Sequence, residues 1–147
     1  MPKDFVSDTA DGGLLVSPAS AITSDTDGSS VDLKGFNSAL FVAGIATSGD
    51  AASLSSTLMI ELELEESDDD GTFTDVADAD LIGYVDGTND GTWAVVDGAA
   101  DDNAVYEVQY IGDKRYVRPV VNVTGTHTNG TPIAILAMRS GKNVNPV

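Results

Sequence analysis

Apolar positions along this chain recur mostly at every second residue, and no window shows the three-to-four spacing of an amphipathic helix. Leu58, Ile60, Leu62 and Leu64 alternate with Met59, Glu61, Glu63 and Glu65. That period of two predicts a strand with its leucines turned to a core and its glutamates to solvent. SALFVAGIAT, residues 38–47, is apolar almost throughout, which suits a strand in a sheet covered on both faces. Toward the C-terminus VYEVQYI, YVRPVVNV and TPIAILAM are separated by GDKR and TGTHTNG. Runs rich in Val, Ile and Tyr between Gly, Asp and Asn breaks predict three strands of a β-meander.

The remaining stretches carry weaker signals of the same kind. Leu14–Ile22 forms a short strand or edge segment broken at Pro18, since proline cannot donate to a ladder. Val31 and Leu33 alternate with Asp32 and Lys34. In ESDDDGTFT, residues 66–74, the Asp69-Asp70-Gly71 run supplies the short polar side chains and permissive backbone of a hairpin. Asp-Gly pairs at 86, 90 and 97 cut residues 77–103 into pieces, with short strands near Leu81–Val85 and Trp93–Val96. About eight strands separated by turns predict an all-β fold, an antiparallel β-sandwich of jelly-roll type. The body is expected over residues 14–139, with an extended arm over 1–13 anchored by Phe5 and Val6 and a C-terminal tail over 140–147.

Composition narrows what such a body can be. A chain of 147 residues is one domain's worth and buries roughly 68–70% of its unfolded surface. Its 41% hydrophobic content is ordinary for a globular protein, so the acids decorate a folded body. With no cysteine there is no disulfide, thiol nucleophile or thiolate metal site, and stability comes from packing or association. No run approaches the ~18–20 apolar residues of a membrane span and the start lacks a secretory apolar stretch; a soluble protein of the compartment of synthesis is expected.

Charge divides the sequence in two. All 24 Asp and Glu lie within residues 1–113 against Lys3 and Lys34, whereas Lys114, Arg115, Arg118, Arg139 and Lys142 follow Asp113 without an acid. A net charge of −17 repels nucleic acid and acidic lipid, and the five cations come with no aromatic or Gly-rich platform for bases. The expected role of these five, with Phe5 and Val6, is contact with a partner or a sister subunit, and charge reversal at Arg115, Arg118 and Arg139 is expected to weaken binding without unfolding the domain.

Candidate chemistry is thin. His127, the lone histidine, falls in TGTHTNGT as an expected exposed loop residue, and no G-x-S-x-G nucleophile elbow accompanies it. Carboxylate pairs are uninformative in a chain so rich in acids. The turn Glu66, Asp68, Asp70, Gly71 resembles half a calcium loop, but Ala77 stands where the closing bidentate Glu belongs; looser cation binding at Asp68–Asp70 or Asp86–Asp90 is the alternative. Trp93, Tyr84, Tyr106, Tyr110 and Tyr116 suit packing more than a sugar platform. No catalytic residue, metal site or cofactor is assigned.

The segment YIGDKRYVRPVVNVTGTHTNGTPIAILAM, with SAITSDTDGSSVDLKGFNSALFVAGIA and ELELEESDDDGTFTDV upstream in the same order, resembles the capsid decoration, or cement, proteins of tailed bacteriophages. These segments cover about half the chain. The resemblance implies a non-enzymatic β-sandwich made in the host cytoplasm and seated on the outer surface of the virion capsid. Its implied partner is the major capsid protein, with three copies joined as a trimer and no nucleic acid or membrane. Tail or head–tail connector proteins, and carbohydrate-binding adhesin modules, are the competing classes.

Overall fold

The computed structural model describes residues 10–142, and over that range the chain is all-β. The strands are β1 (Ala10–Val16), β2 (Ala21–Ile22), β3 (Thr26–Asp27), β4 (Val31–Asp32), β5 (Phe36–Ile45), β6 (Met59–Ser67), β7 (Thr74–Asp75), β8 (Leu81–Ile82), β9 (Thr92–Val96), β10 (Ala104–Tyr110), β11 (Tyr116–Thr124) and β12 (Thr131–Lys142). They form two antiparallel sheets. The first runs β1-β12-β5-β10-β8 with β2 also on β12; the second runs β3-β11-β6-β7, with β4 on β11 and β9 on β6.

The two sheets close over one core. Ala39, Phe41, Ala43 and Ile45 of β5, with Ile133, Ile135 and Ala137 of the neighbouring β12, face Ile60, Leu62 and Leu64 of β6 and Val117 and Val121 of β11, all buried. Trp93 and Tyr110 are the largest side chains in it. Every long connection after β4 except the β6–β7 hairpin crosses from one sheet to the other. The eight principal strands thereby order as β1-β12-β5-β10 against β3/β4-β11-β6-β9, the two-sheet weave of a jelly roll. The expected sandwich is therefore present, with twelve strands because the second-sheet edge is split into β3 and β4 and because β2, β7 and β8 are two-residue additions.

Two expectations change. The C-terminal strands do not form a meander: β10 pairs with β5, β11 with β6, and β12 with β5 and β1. Their boundaries follow the apolar pattern, but alternation within a strand does not name its neighbour, and the turns at 111–115 and 125–130 are arches between sheets rather than hairpins. Strand also reaches into both expected end segments, because β1 begins at Ala10 and β12 extends to Lys142. Two register shifts, one at Asp11/Gly13, accommodate the glycines of β1 in the ladder, and Gly13 takes a φ of 94° that only glycine adopts freely. Phe5 and Val6 lie outside the described residues.

Candidate interaction surface

The outward face of the second sheet is polar and closed by its own chain. Glu61 and Glu63, expected in solvent, are buried, Glu63 to 2% exposure. Residues 83–91 fold across β6 and supply the donors: Thr88 gives Glu61 its backbone N–H and hydroxyl at 2.8 and 2.7 Å, and Asn89 Nδ2 donates to Glu63 at 3.0 Å. Asn122 on β11 donates to Glu63 as well. Gly91 anchors the crossing, since at φ 80° a Cβ there would meet the carbonyl oxygens of Leu64 and Val76 at 2.7 and 3.0 Å. Burial, followed by the neighbouring Asp75 carboxyl, pushes Glu63 up to about 7. Alternation correctly put these glutamates opposite the leucines; what it could not foresee was a loop of mixed polarity covering them.

The cations named from sequence are held by the chain itself. Arg118 Nε and Nη2 donate to Glu65 at 2.7 and 2.6 Å, its Nη1 lies 2.9 Å from Asp27, and its guanidinium stacks on Phe73. Arg115 meets Asp32 with two hydrogen bonds of 2.9 and 2.8 Å and holds that carboxyl down to about 2. Lys114 Nζ is 2.7 Å from Asp68. Arg139 donates to the Asp32 carbonyl at 3.1 Å and lies over Phe36. Lys142 contributes backbone pairing with Phe36 in β12. The acid-poor C-terminal segment thus serves largely as counter-charge to the acid-rich remainder, and its four described arginines and lysine side chains already have partners.

The structure places each group weighed for chemistry. His127 is 5% exposed rather than at an exposed tip, because Gly125, Thr126, Thr128 and Asn129 form the exposed part of that arch. Its Nδ1 lies 3.8 Å from Asp50, and neither ring nitrogen makes a hydrogen bond, so no hydroxyl is poised for activation. Asp50 is instead saturated by the backbone N–H groups of Asn129 and Gly130. In the acidic turn, Asp69 accepts from the N–H groups of Gly71 and Thr72 and from Ser67, while Asp68 pairs with Lys114. Among the described residues three carboxylates converge at Glu63, Glu65 and Asp75, where Arg118 donates to Glu65 Oε2 and Asn89 and Asn122 donate to Glu63 Oε2. Trp93 and Tyr110 are buried, and the Tyr110 hydroxyl donates to Glu66 at 2.7 Å while accepting from the Lys114 N–H. A sugar platform would be left with Tyr84 as its exposed ring.

The outward face of the first sheet is the opposite case. Register places Leu14, Leu136, Val42 and Glu107 in one cross-strand row, Met138, Leu40, Gln109 and Ile82 in the next, and Ala134, Gly44 and Val105 in a third. Asp11, paired with Met138, and Glu107 are the charged residues in these rows. Leu14 is 58% exposed, Leu136 41%, Ile82 57% and Val105 72%, so among the described residues nothing covers this face. The wholly apolar run of β5 carried the signal: it was written for a strand covered on both sides, and within the described residues one side is bare.

Neither the models of known protein families nor the curated proteins match this chain.

Proposed function

We propose that the chain is a structural virion protein, a decoration or cement protein that binds the outer surface of a tailed-phage capsid and stabilises it. Sequence resemblance supplies the family, and jelly rolls serve capsid and lectin domains alike, so the observation that carries the reading is the bare outer face of the first sheet. A patch of that kind on an otherwise strongly acidic body is the mark of a surface meant for another protein. The twelve positions of the three outward rows, at ~4.8 Å between strands and ~7 Å along them, give about 400 Å². This is close to the largest patch a monomer leaves exposed and about half of what each side of a standard interface buries.

The partner in this reading is the major capsid protein, with three copies disposed around a threefold position. Electrostatics supports the orientation: the acid-rich second sheet faces solvent, and the face with least charge meets the shell. Of the aromatics that an adhesin would use, Trp93 and Tyr110 are buried and Tyr106 and Tyr116 half-buried, which weakens the support for that alternative.

Electron cryomicroscopy of particles with and without this protein tests the proposal. Density added to every capsomer, with the first sheet toward the shell, is the expected result. Density at one vertex identifies a connector, and particles lacking the protein overturn the reading altogether.

A further inference from the structure

The bare face ends at an open edge. β10 pairs with β5 along its whole length, from Ala104↔Ile45 to Tyr110↔Ala39, but on its other side only Gln109 and Tyr110 meet β8. Ile111 N–H donates to the Asp80 carbonyl at 2.8 Å, which fixes the alternation: the odd-numbered residues of β10 turn their N–H and C=O groups away from β5. Among the described residues nothing pairs with the outward backbone groups of Val105 and Glu107 along this edge. Gly83 (φ 100°), placed so that a Cβ would stand 3.3 Å from the Glu107 carbonyl oxygen, ends β8 and directs the chain away. No Lys, Pro or bulge blunts the edge, although such devices commonly protect exposed strands.

Apolar exposure concentrates at the same place. Ile82 lies on β8, Val105 on β10 and Ile111 directly after β10, and all three are exposed. A shallow groove of about 240 Å³ runs there, lined by Leu40, Ile82, Gly83, Glu107, Val108 and Gln109. An extended strand laid on β10 would satisfy the two N–H and two C=O groups and set alternate side chains into that groove. It would also add the contact area that the sheet face lacks.

Charge selects the occupant. Between Asp78 and Asp113 the chain holds nine acids and no Lys or Arg, including Asp97 and Asp101 just before β10 and Asp86 and Asp90 just after β8. A second copy pairing edge to edge would bring two such sets within a Debye length of ~8–10 Å. We infer that the β10 edge is a strand-addition site for an extended apolar segment flanked by Lys or Arg. Resting on the proposed function, that segment belongs to the capsid protein.

The test uses the full chain and two synthetic peptides, each with alternating Val and Thr in the centre and either two Lys or two Glu at each end. Binding is read by fluorescence anisotropy and by hydrogen exchange of individual amides. The Lys-flanked peptide is expected to bind and to slow exchange at Val105 and Glu107 at least tenfold, and the Glu-flanked peptide to bind at least tenfold more weakly. Val105→Pro, which removes an outward N–H, and Val105→Lys, which preserves the backbone donor, are each expected to cut affinity at least tenfold. Protection at other strands, equal binding of the two peptides, or full affinity in a folded Val105→Lys protein overturns the inference. So does concentration-dependent protection of Val105 in the chain alone, which would mean a second copy fills the edge. Peptide binding by a protein missing from particles leaves the edge assignment standing and removes the capsid reading. Undiminished particle loading by Val105→Lys does the reverse.

Discussion

The two outer faces of this sandwich are built on the same alternation and finished in opposite ways. On the second sheet the outward positions of β6 and β11 carry Glu61, Glu63, Glu65, Arg118 and Asn122, and the chain covers them with residues 83–91 until every carboxylate has a donor. On the first sheet the outward positions of β5, β10 and β12 carry Leu40, Val42, Val105, Glu107, Leu136 and Met138, and among the described residues no segment covers them. Buried polar groups left without partners cost more than exposed apolar ones. The comparison teaches that intramolecular cover has gone where desolvation demanded it, while the apolar face is left for intermolecular cover.

The sharpest way to break this contrast is Arg118→Glu. Arg118 and Glu65 are largely buried, and reversal would place a fourth carboxylate beside Glu63, Glu65 and Asp75. Loss of one member of a buried pair costs about 3–5 kcal/mol, which lowers Tm by roughly 10 °C in a domain of this size. Scanning calorimetry checks it. Arg118→Met with Glu65→Leu is expected to recover most of the loss, because apolar replacement of a whole buried pair is close to neutral. An unshifted Tm in Arg118→Glu would mean that the guanidinium is not structural and is free to meet a partner, as its sequence context suggested.

A smaller effect, of opposite sign, is expected at Glu63. Its folded pKa of about 7 lies above the unfolded value near 4.5, so the native state binds the extra proton between those limits. The stabilisation it brings is fully present below about pH 4.5 and is lost as pH rises through 7. Glu63→Gln keeps an uncharged side chain at every pH. It is expected to match the parent near pH 5 and to exceed it at pH 8 by about 2 kcal/mol, read as a difference in urea midpoints across pH 5–9. Asp32, held down by Arg115, titrates near 2 and leaves this window untouched. Parallel curves for the two proteins would show that the covered face imposes no charge penalty.

How much of this was legible in the sequence differs between the faces for a physical reason. Strand existence and inward alternation followed from apolar spacing, so Ile60, Leu62 and Leu64 could be placed in a core. Pairing did not follow, because VYEVQYI, YVRPVVNV and TPIAILAM carry the same pattern whether they neighbour one another or alternate between sheets. The burial of Glu61 and Glu63 was hidden because Thr88 and Asn89, which cover them, read as an ordinary Asp-Gly loop. Cation positions were read from charge order along the chain, whereas their partners Asp27, Asp32, Glu65 and Asp68 lie 46 to 91 residues away in sequence and are met only through sheet register. The bare face was half legible: β5 demanded cover on both sides, and a sequence cannot say which side another molecule supplies.

The smallest effect on folding, and the one that separates the faces most cleanly, is expected from Leu136→Lys. Leu136 stands at the centre of the first sheet's outward face, between Leu14 and Val42 in its row, and is 41% exposed. Lysine there has water for its ammonium and sheet surface for its methylenes, so the urea midpoint should move by no more than about 0.5 kcal/mol in stability terms. Particle loading is a different matter, since a charge set into an apolar interface must be desolvated without a partner. Loading at fixed protein concentration is expected to fall at least tenfold, whereas Thr88→Ala on the second sheet, a loop change away from the docking face, should load normally. If Leu136→Lys loads as well as the parent, the exposed leucines are ordinary surface residues and the polar face becomes the better candidate for contact with the shell.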